Sequence, residues 1–151
     1  MKFGVFLYES EPAEGVEYNF YRIKPESGTV GKANPNMYTN IAVFGDNALA
    51  AKRPEWISTS SKGPAFRTNT RYNLRWDVLC MTNPEVREYN LKLIKECAEK
   101  TPGISISSQH FADEGFCTCP RCIEQQRKSG LSWIEWRAQT VTDFLAEVKE
   151  L

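Results

Sequence analysis

Apolar and polar residues alternate at Ile104, Ser105, Ile106 and Ser107, between the turn residues Thr101, Pro102 and Gly103 and a polar run beginning at Ser108. That is the period-two pattern of a short strand, predicted over residues 104–108. Residues 2–8, rich in Phe, Val, Leu and Tyr and ended by Glu9 to Pro12, read as a buried strand, and residues 41–44 as another. Between them, residues 13–40 carry three glycines and several aromatics broken by prolines, which predicts a long irregular connection. Helical spacing takes over elsewhere. Asn83 as N-cap, Pro84 at the first helical position and Glu85 at the positive end of the dipole open a helix over 84–100, with Val86, Tyr89, Leu93 and Cys97 on one stripe. Ser132 and Glu135 have the spacing of a capping box, and Leu131 and Trp136 that of a hydrophobic staple. They open a helix over 132–150 whose predicted core face is Ile134, Ala138, Val141, Leu145 and Val148, with Phe144 beside it. Shorter helical pieces are predicted over 46–52 and 124–129. Strands alternating with helices predict an α/β fold in which right-handed crossovers bring the strands parallel.

Composition narrows the class. The 151 residues are 41% hydrophobic and 25% charged, the balance of one ordinary globular domain, 1–151, without a recognisable linker or repeat. Nineteen basic side chains cancel nineteen acidic ones, so no sequence-wide field favours nucleic acid or an anionic membrane. No stretch has the apolar length of a membrane span, and the apolar run near Met1 lacks the length and cleavage site of a signal peptide. The expectation is a cytoplasmic protein.

Five cysteines change the picture. Cys117, Cys119 and Cys122 form a C-x-C-x-x-C turn, a spacing that lets three thiolates wrap one soft cation; the alternative is a set of ordinary buried thiols. A closed structural zinc site needs a fourth ligand. Cys80 is the candidate, because it directly precedes the helix at Pro84 and is expected to follow a strand end on the same rim as the loop after residue 108. Cys97 falls on the helical stripe and reads as a core thiol. An odd cysteine count with three in one turn fits a metal in a reducing compartment better than a disulfide framework. Residues 67–77 gather Arg67, Arg71, Tyr72, Arg75 and Trp76 without helical periodicity, a loop suited either to a carbohydrate site or to a solvated surface anchored by its aromatics.

The run Cys80, then Asn83 to Tyr89, then Asp113, Glu114 and Gly115, then Cys117, Cys119 and Cys122, resembles the (β/α)8-barrel glycoside hydrolases with a four-cysteine zinc cluster. It is similar to the zinc-containing β-galactosidases and to related glycosidase-like barrel families, in which a segment like Pro54-Glu55-Trp56 also lies upstream of the helix. The resemblance runs mainly from Pro54 to Cys122. It implies a partial TIM-barrel-like segment of about three β/α units, structural Zn2+, a carbohydrate partner, Glu114 as general acid/base, and Asp113 and Trp56 near the sugar; Arg75 and Trp76 are the sugar-binding candidates of the 67–77 loop. Asp113 departs from the family, which has Asn there. A second carboxylate across the scissile bond is also needed, and Asp113 faces away if Glu114 faces in.

Two readings therefore compete. One is a glycosidase-like barrel segment, the N-terminal portion of a barrel, inactive alone. The other is a non-enzymatic, zinc-stabilised carbohydrate-binding or assembly module. A zinc-ribbon nucleic-acid module is disfavoured by the neutral charge and by the lack of a second close C-x-x-C pair. An incomplete barrel leaves open sheet edges, which predicts either marginal stability or association, as a homo-oligomer or with a missing C-terminal barrel half.

Overall fold

The computed structural model describes residues 2–113 and 115–151. The chain runs through β1 (Gly4–Leu7), β2 (Tyr18–Lys24), β3 (Tyr38–Ala42), α1 (Asn47–Lys52), a 3-10 turn (Pro54–Trp56), the short hairpin β4 (Thr59–Ser60) and β5 (Gly63–Pro64), α2 (Pro84–Ala98), β6 (Ile104–Ser107), α3 (Pro120–Ser129) and α4 (Trp133–Lys149). Four strands make one wholly parallel sheet in the order β1-β2-β3-β6, so the fold is mixed α/β. Among the described residues, no helix is long and apolar enough to cross a membrane.

Register accounts for the alternation in β6. Ile104 and Ile106 lie beside Thr39 and Ile41, while Ser105 and Ser107 lie beside Asn40 and Ala42. Successive side chains point to opposite faces, so the isoleucines join the apolar core shared with Val86, Ile94 and Phe144. The serines fall on the other face, where Ser105, Ser107, Asn40, Arg22 and Phe6 line a shallow hollow of about 180 Å³. A parallel strand covered on both faces would be apolar throughout. The serines therefore mark the more polar of the two faces of β6.

Four expectations need correction. Residues 2–8 hold β1 but not a buried strand: it lies at the edge of the sheet, and Phe3, Phe6 and Tyr8 are exposed. Residues 13–40 are not wholly irregular: they contain β2, the longest strand of the sheet. Its charged Arg22 and Lys24 break the apolar pattern, but Glu26 holds Arg22 and Asp46 holds Lys24 in ion pairs. The face of α4 is also rotated from the predicted one. Ile134 is 78% and Leu145 41% exposed, whereas Trp136 and Phe144 are buried. Phe144 meets Phe44 edge to face at 4.9 Å, and Trp136 packs against Trp133 and Phe111 at 5.4 and 5.8 Å. Aromatic rings bury more area than the aliphatics, so they decide which side of the helix turns inward. Finally, α3 begins at Pro120 rather than near Glu124, with Pro120 at its first position. In α2 the buried stripe is Val86, Asn90, Ile94 and Cys97, so Cys97 is a core residue as expected, while Tyr89 and Leu93 lie at the edge.

Both predicted helix starts have the expected chemistry. The Asn83 side chain accepts from Glu85 N at 3.0 Å. The Ser132 hydroxyl accepts from Glu135 N at 3.3 Å while the Glu135 carboxylate accepts from Ser132 N at 2.9 Å. Ser132→Ala should cost about 1 kcal/mol of stability in urea denaturation, the usual value of such a cap, with no change in metal content.

An irregularity at the end of β2 shapes the interior. The register slips between Arg22 and Lys24, a bulge that turns both Ile23 and Lys24 inward. Lys24 is fully buried, as is Asp46, whose Oδ2 lies 2.9 Å from its Nζ without hydrogen-bond alignment. The ammonium also donates to the Ala42 carbonyl. Burial pushes the Lys24 pKa down, against the pull of the Asp46 charge.

Candidate metal centre

Three separate segments bring four cysteines together. Cys80 ends a stretch laid across the molecule by two isolated antiparallel bridges, Val78 to Gly45 and Leu79 to Ile57. It does not follow a strand of the parallel sheet, as its position before α2 had suggested. It still reaches the same edge, because Leu79 N donates to Phe44 O just beyond β3 and Cys80 N to Trp56 O, at 2.8 and 2.7 Å. Cys117 lies in the loop after β6, which is tied to β4 by Thr118 N donating to Thr59 O at 2.7 Å. Cys119 is the N-cap of α3 and Cys122 lies in the first turn. The start of that helix thus sets the two at one end, where the positive dipole favours thiolate.

The four sulfurs lie within 4.8 Å of one another. Cys80 Sγ is 3.7 Å from Cys122 Sγ and 3.9 Å from Cys119 Sγ. A disulfide needs about 2.0 Å, and all five cysteines are free thiols. A tetrahedron with metal–sulfur bonds of about 2.3 Å has edges of about 3.8 Å, so these separations fit a cation at the centre. Cys80, Cys117 and Cys122 are buried and Cys119 is half-buried, close to the closed form of a structural site. The surroundings supply donors to sulfur. Thr59 N lies 3.4 Å from Cys117 Sγ, and the Thr82 hydroxyl lies 3.3 and 3.1 Å from the sulfurs of Cys80 and Cys122.

Such crowded thiols share protons unevenly. Contacts with Cys117, Cys122 and Cys80 hold the Cys119 thiol far below the usual range. Cys117 is pushed up by Cys119 but pulled down more strongly by Cys122, Cys80 and the Thr59 N–H, to about 6. Cys80 is pushed up by Cys117 and Cys119, and Cys122 by Cys117, Cys119 and Cys80. A bound divalent ion displaces the retained protons. Cys97 stands apart, its thiol raised by burial in α2.

The other nominated residues are scattered. Trp56 is buried, its indole N–H donating to Glu85 Oε2 at 2.9 Å and Arg53 stacked over its ring at 4.4 Å. Arg75 is exposed and Trp76 half-buried. Asp113, with Phe111, Ile134 and Arg137, lines an open cleft of about 590 Å³. Glu114 lies outside the described residues. Of the acids that the sequence offers as a second carboxylate, Glu55 pairs with Arg53 at the surface, and Asp77 is buried, accepting from Arg67 N at 2.7 Å. Sequence reading missed Thr59 and Thr82 around the sulfurs, and it missed Glu26. Thr59 acts through its backbone, which no residue type announces. Glu26 had a local signal, a carboxylate four residues after Arg22 at the end of an aromatic run.

The family described as Domain of unknown function (DUF4838) matches residues 9–150. The crystal structure of a hypothetical protein from Ruminiclostridium thermocellum ATCC 27405 superimposes with a TM-score of 0.66 over 90% of this chain and 78% of that one, at 18% identity. A likeness at that identity shows a shared fold. No curated protein matches the sequence.

Proposed function

The chain belongs to the DUF4838 family, and we propose that it is a carbohydrate-recognition scaffold of glycosidase type whose sheet-end loop is stapled by one structural zinc ion. The observation that carries the reading is the sulfur cluster of Cys80, Cys117, Cys119 and Cys122, with edges of 3.7 and 3.9 Å. Four thiolates select a soft ion such as Zn2+ over hard cations. When bound, zinc supplies cross-linking, because a closed four-sulfur site leaves no position for substrate. It would hold the loop after β6, which carries Asp113 and Glu114, against β4 and the segment before α2.

Strand order supports the glycosidase-type scaffold. The strands of the sheet neighbour one another in chain order without a reversal, and Asn40, Ser105 and Ser107 give one face a polar character. Doubly wound sheets reverse their strand order and cover both faces, whereas a barrel wall keeps sequential order with helices outside. In this reading the polar face is the barrel's interior side, and ligands meet the C-terminal ends of the strands. By resemblance Glu114 is the general acid of that site. With Glu55 and Asp77 committed elsewhere, the chain alone binds sugar without cleaving it.

Metal analysis of the purified protein tests the zinc assignment. About one zinc per chain is expected in the wild type and in Cys97→Ala, which removes only a core thiol at a cost on the order of 1 kcal/mol. Zinc should be lost from Cys80→Ser and Cys119→Ser. Metal-free wild-type protein would overturn the assignment. Activated aryl glycosides, which need little acid assistance, should not be turned over; turnover would reveal a second carboxylate in the chain.

A further inference from the structure

We propose that Arg22, Glu26, Ser108 and Trp76 form a binding subsite for a neutral, polyhydroxylated ligand at the C-terminal end of the sheet. The inference rests on the carbohydrate reading above and places it on residues outside the cysteine loop. Arg22 Nη2 donates to both oxygens of Glu26, at 3.0 and 2.9 Å. Its Nη1 donates to the Tyr8 hydroxyl at 2.8 Å, and the guanidinium stacks 5.1 Å from the Tyr8 ring. The Ser108 hydroxyl, just beyond β6, adds a third hydrogen bond to the carboxylate, donating to Glu26 Oε1 at 2.9 Å. The acid is thus gripped from the ends of two strands that β3 separates in the sheet.

Two backbone features serve this arrangement. Ser108 holds φ at +56°, a left-handed conformation that costs a non-glycine residue energy and recurs at functional sites. Gly45 lets Trp76 and Glu26 close over the backbone: a Cβ there would lie 2.8 Å from Trp76 Cδ1 and 2.9 Å from Glu26 Cγ. An indole ring, a second aromatic ring at Tyr8, and a charge pair that stays 19% and 16% exposed therefore meet at one rim. The rim is where open α/β sheets and barrels take ligands.

The chemistry selects the ligand class. Arg22 and Glu26 cancel, so the subsite has no net charge to attract phosphate or carboxylate. It still offers fixed donors on the guanidinium and fixed acceptors on the carboxylate. A sugar hydroxyl both donates and accepts, and the C–H face of a sugar packs on an aromatic ring. Glu26 binds rather than attacks in this account, because both its oxygens are engaged by Arg22.

The test is ligand titration of the zinc-loaded chain followed by 1H–15N NMR, using cellobiose, lactose and xylobiose as neutral probes and glucuronate and inorganic phosphate as charged ones. At least one neutral disaccharide is expected to shift the Trp76 indole N–H and the Arg22 Nε–H signals. Glu26→Gln, which keeps the side chain's shape, should weaken binding about tenfold, the worth of one charge-assisted hydrogen bond. Trp76→Ala should weaken it as well, with zinc content unchanged in both. A purely structural ion pair would lower the melting temperature of Glu26→Gln and leave the titration unmoved, which overturns the subsite. Sugar binding that survives both substitutions but fails in Arg137→Ala would keep the carbohydrate reading and move the site to the cleft beside Asp113. Binding of phosphate or glucuronate alone would overturn the neutral class, and no response to any disaccharide would overturn both readings.

Discussion

Stripping the proposed zinc from the folded protein should lower its melting temperature on the order of 10 °C while leaving most of the helical signal intact. Structural zinc contributes directly to folding energy, and a loss of a few kcal/mol moves a domain of this size by about 2 to 4 °C for each kcal/mol. The effect should be large because Cys117, Cys119 and Cys122 come from a loop and a helix start more weakly tied than the Cys80 segment, which two β-bridges already hold. The loop after β6 is tied to β4 through Thr118 and Thr59, and among the described residues β4 pairs only with the two-residue β5. The N-cap of α3 is itself Cys119, with no side-chain cap hydrogen bond, so that helix loses its anchor with the metal. In contrast, α2 and α4 pack on the apolar face of the sheet through Val86, Ile94 and Phe144 and should persist. The measurement is circular dichroism melting of wild type and Cys119→Ser, with and without a high-affinity chelator. Wild type should fall to the variant's melting temperature on chelation, and the variant should not respond. Equal melting temperatures with and without metal would mean that the cluster is not a folding staple.

How much of this could be read from the chain depends on how local each signal is. The cysteine turn, the Asn83 and Ser132 caps and the Ile/Ser alternation of β6 are written within a few residues each, and the structure has them where they were expected. Cys80 was recognisable from a resemblance and from its place before Pro84, but the route that delivers it was not. That route depends on Val78 and Leu79 bridging to Gly45 and Ile57, contacts distant in sequence and without side-chain signature. The strand β2 was hidden because its pattern includes two cations whose partners lie beyond the strand, Glu26 for Arg22 and Asp46 for Lys24. The face of α4 was misjudged because a 3.6-residue period allows neighbouring stripes, and the choice fell to aromatic partners such as Phe44. Partners outside the element itself decided each of these cases.

Replacing Lys24 by Met should destabilise the protein by about 3 to 5 kcal/mol, the usual cost of leaving one member of a buried ion pair alone. Lys24 and Asp46 are both fully buried and 2.9 Å apart, so the variant strands a carboxylate without water. Asp46 cannot readily turn away. Its Oδ1 accepts from Leu49 N at 2.8 Å as the N-cap of α1, and Gly28, with φ at +85°, approaches so closely that an added Cβ would fall 2.1 Å from that oxygen. Converting Asp46 to Asn in the same background removes the stranded charge while keeping a good capping residue. The double variant Lys24→Met/Asp46→Asn should therefore recover most of the loss in urea denaturation. The pair also has a signature in pH. Burial holds the Lys24 pKa below 10.5, so the unfolded chain keeps this proton to higher pH than the folded one. In the window below 10.5 the Lys24 contribution to stability should accordingly rise with pH. The difference in stability between wild type and the double variant, followed into that alkaline window, should shift in favour of wild type. A flat difference would mean that Lys24 titrates as an ordinary solvated lysine and that the bulge at the end of β2 does not bury it.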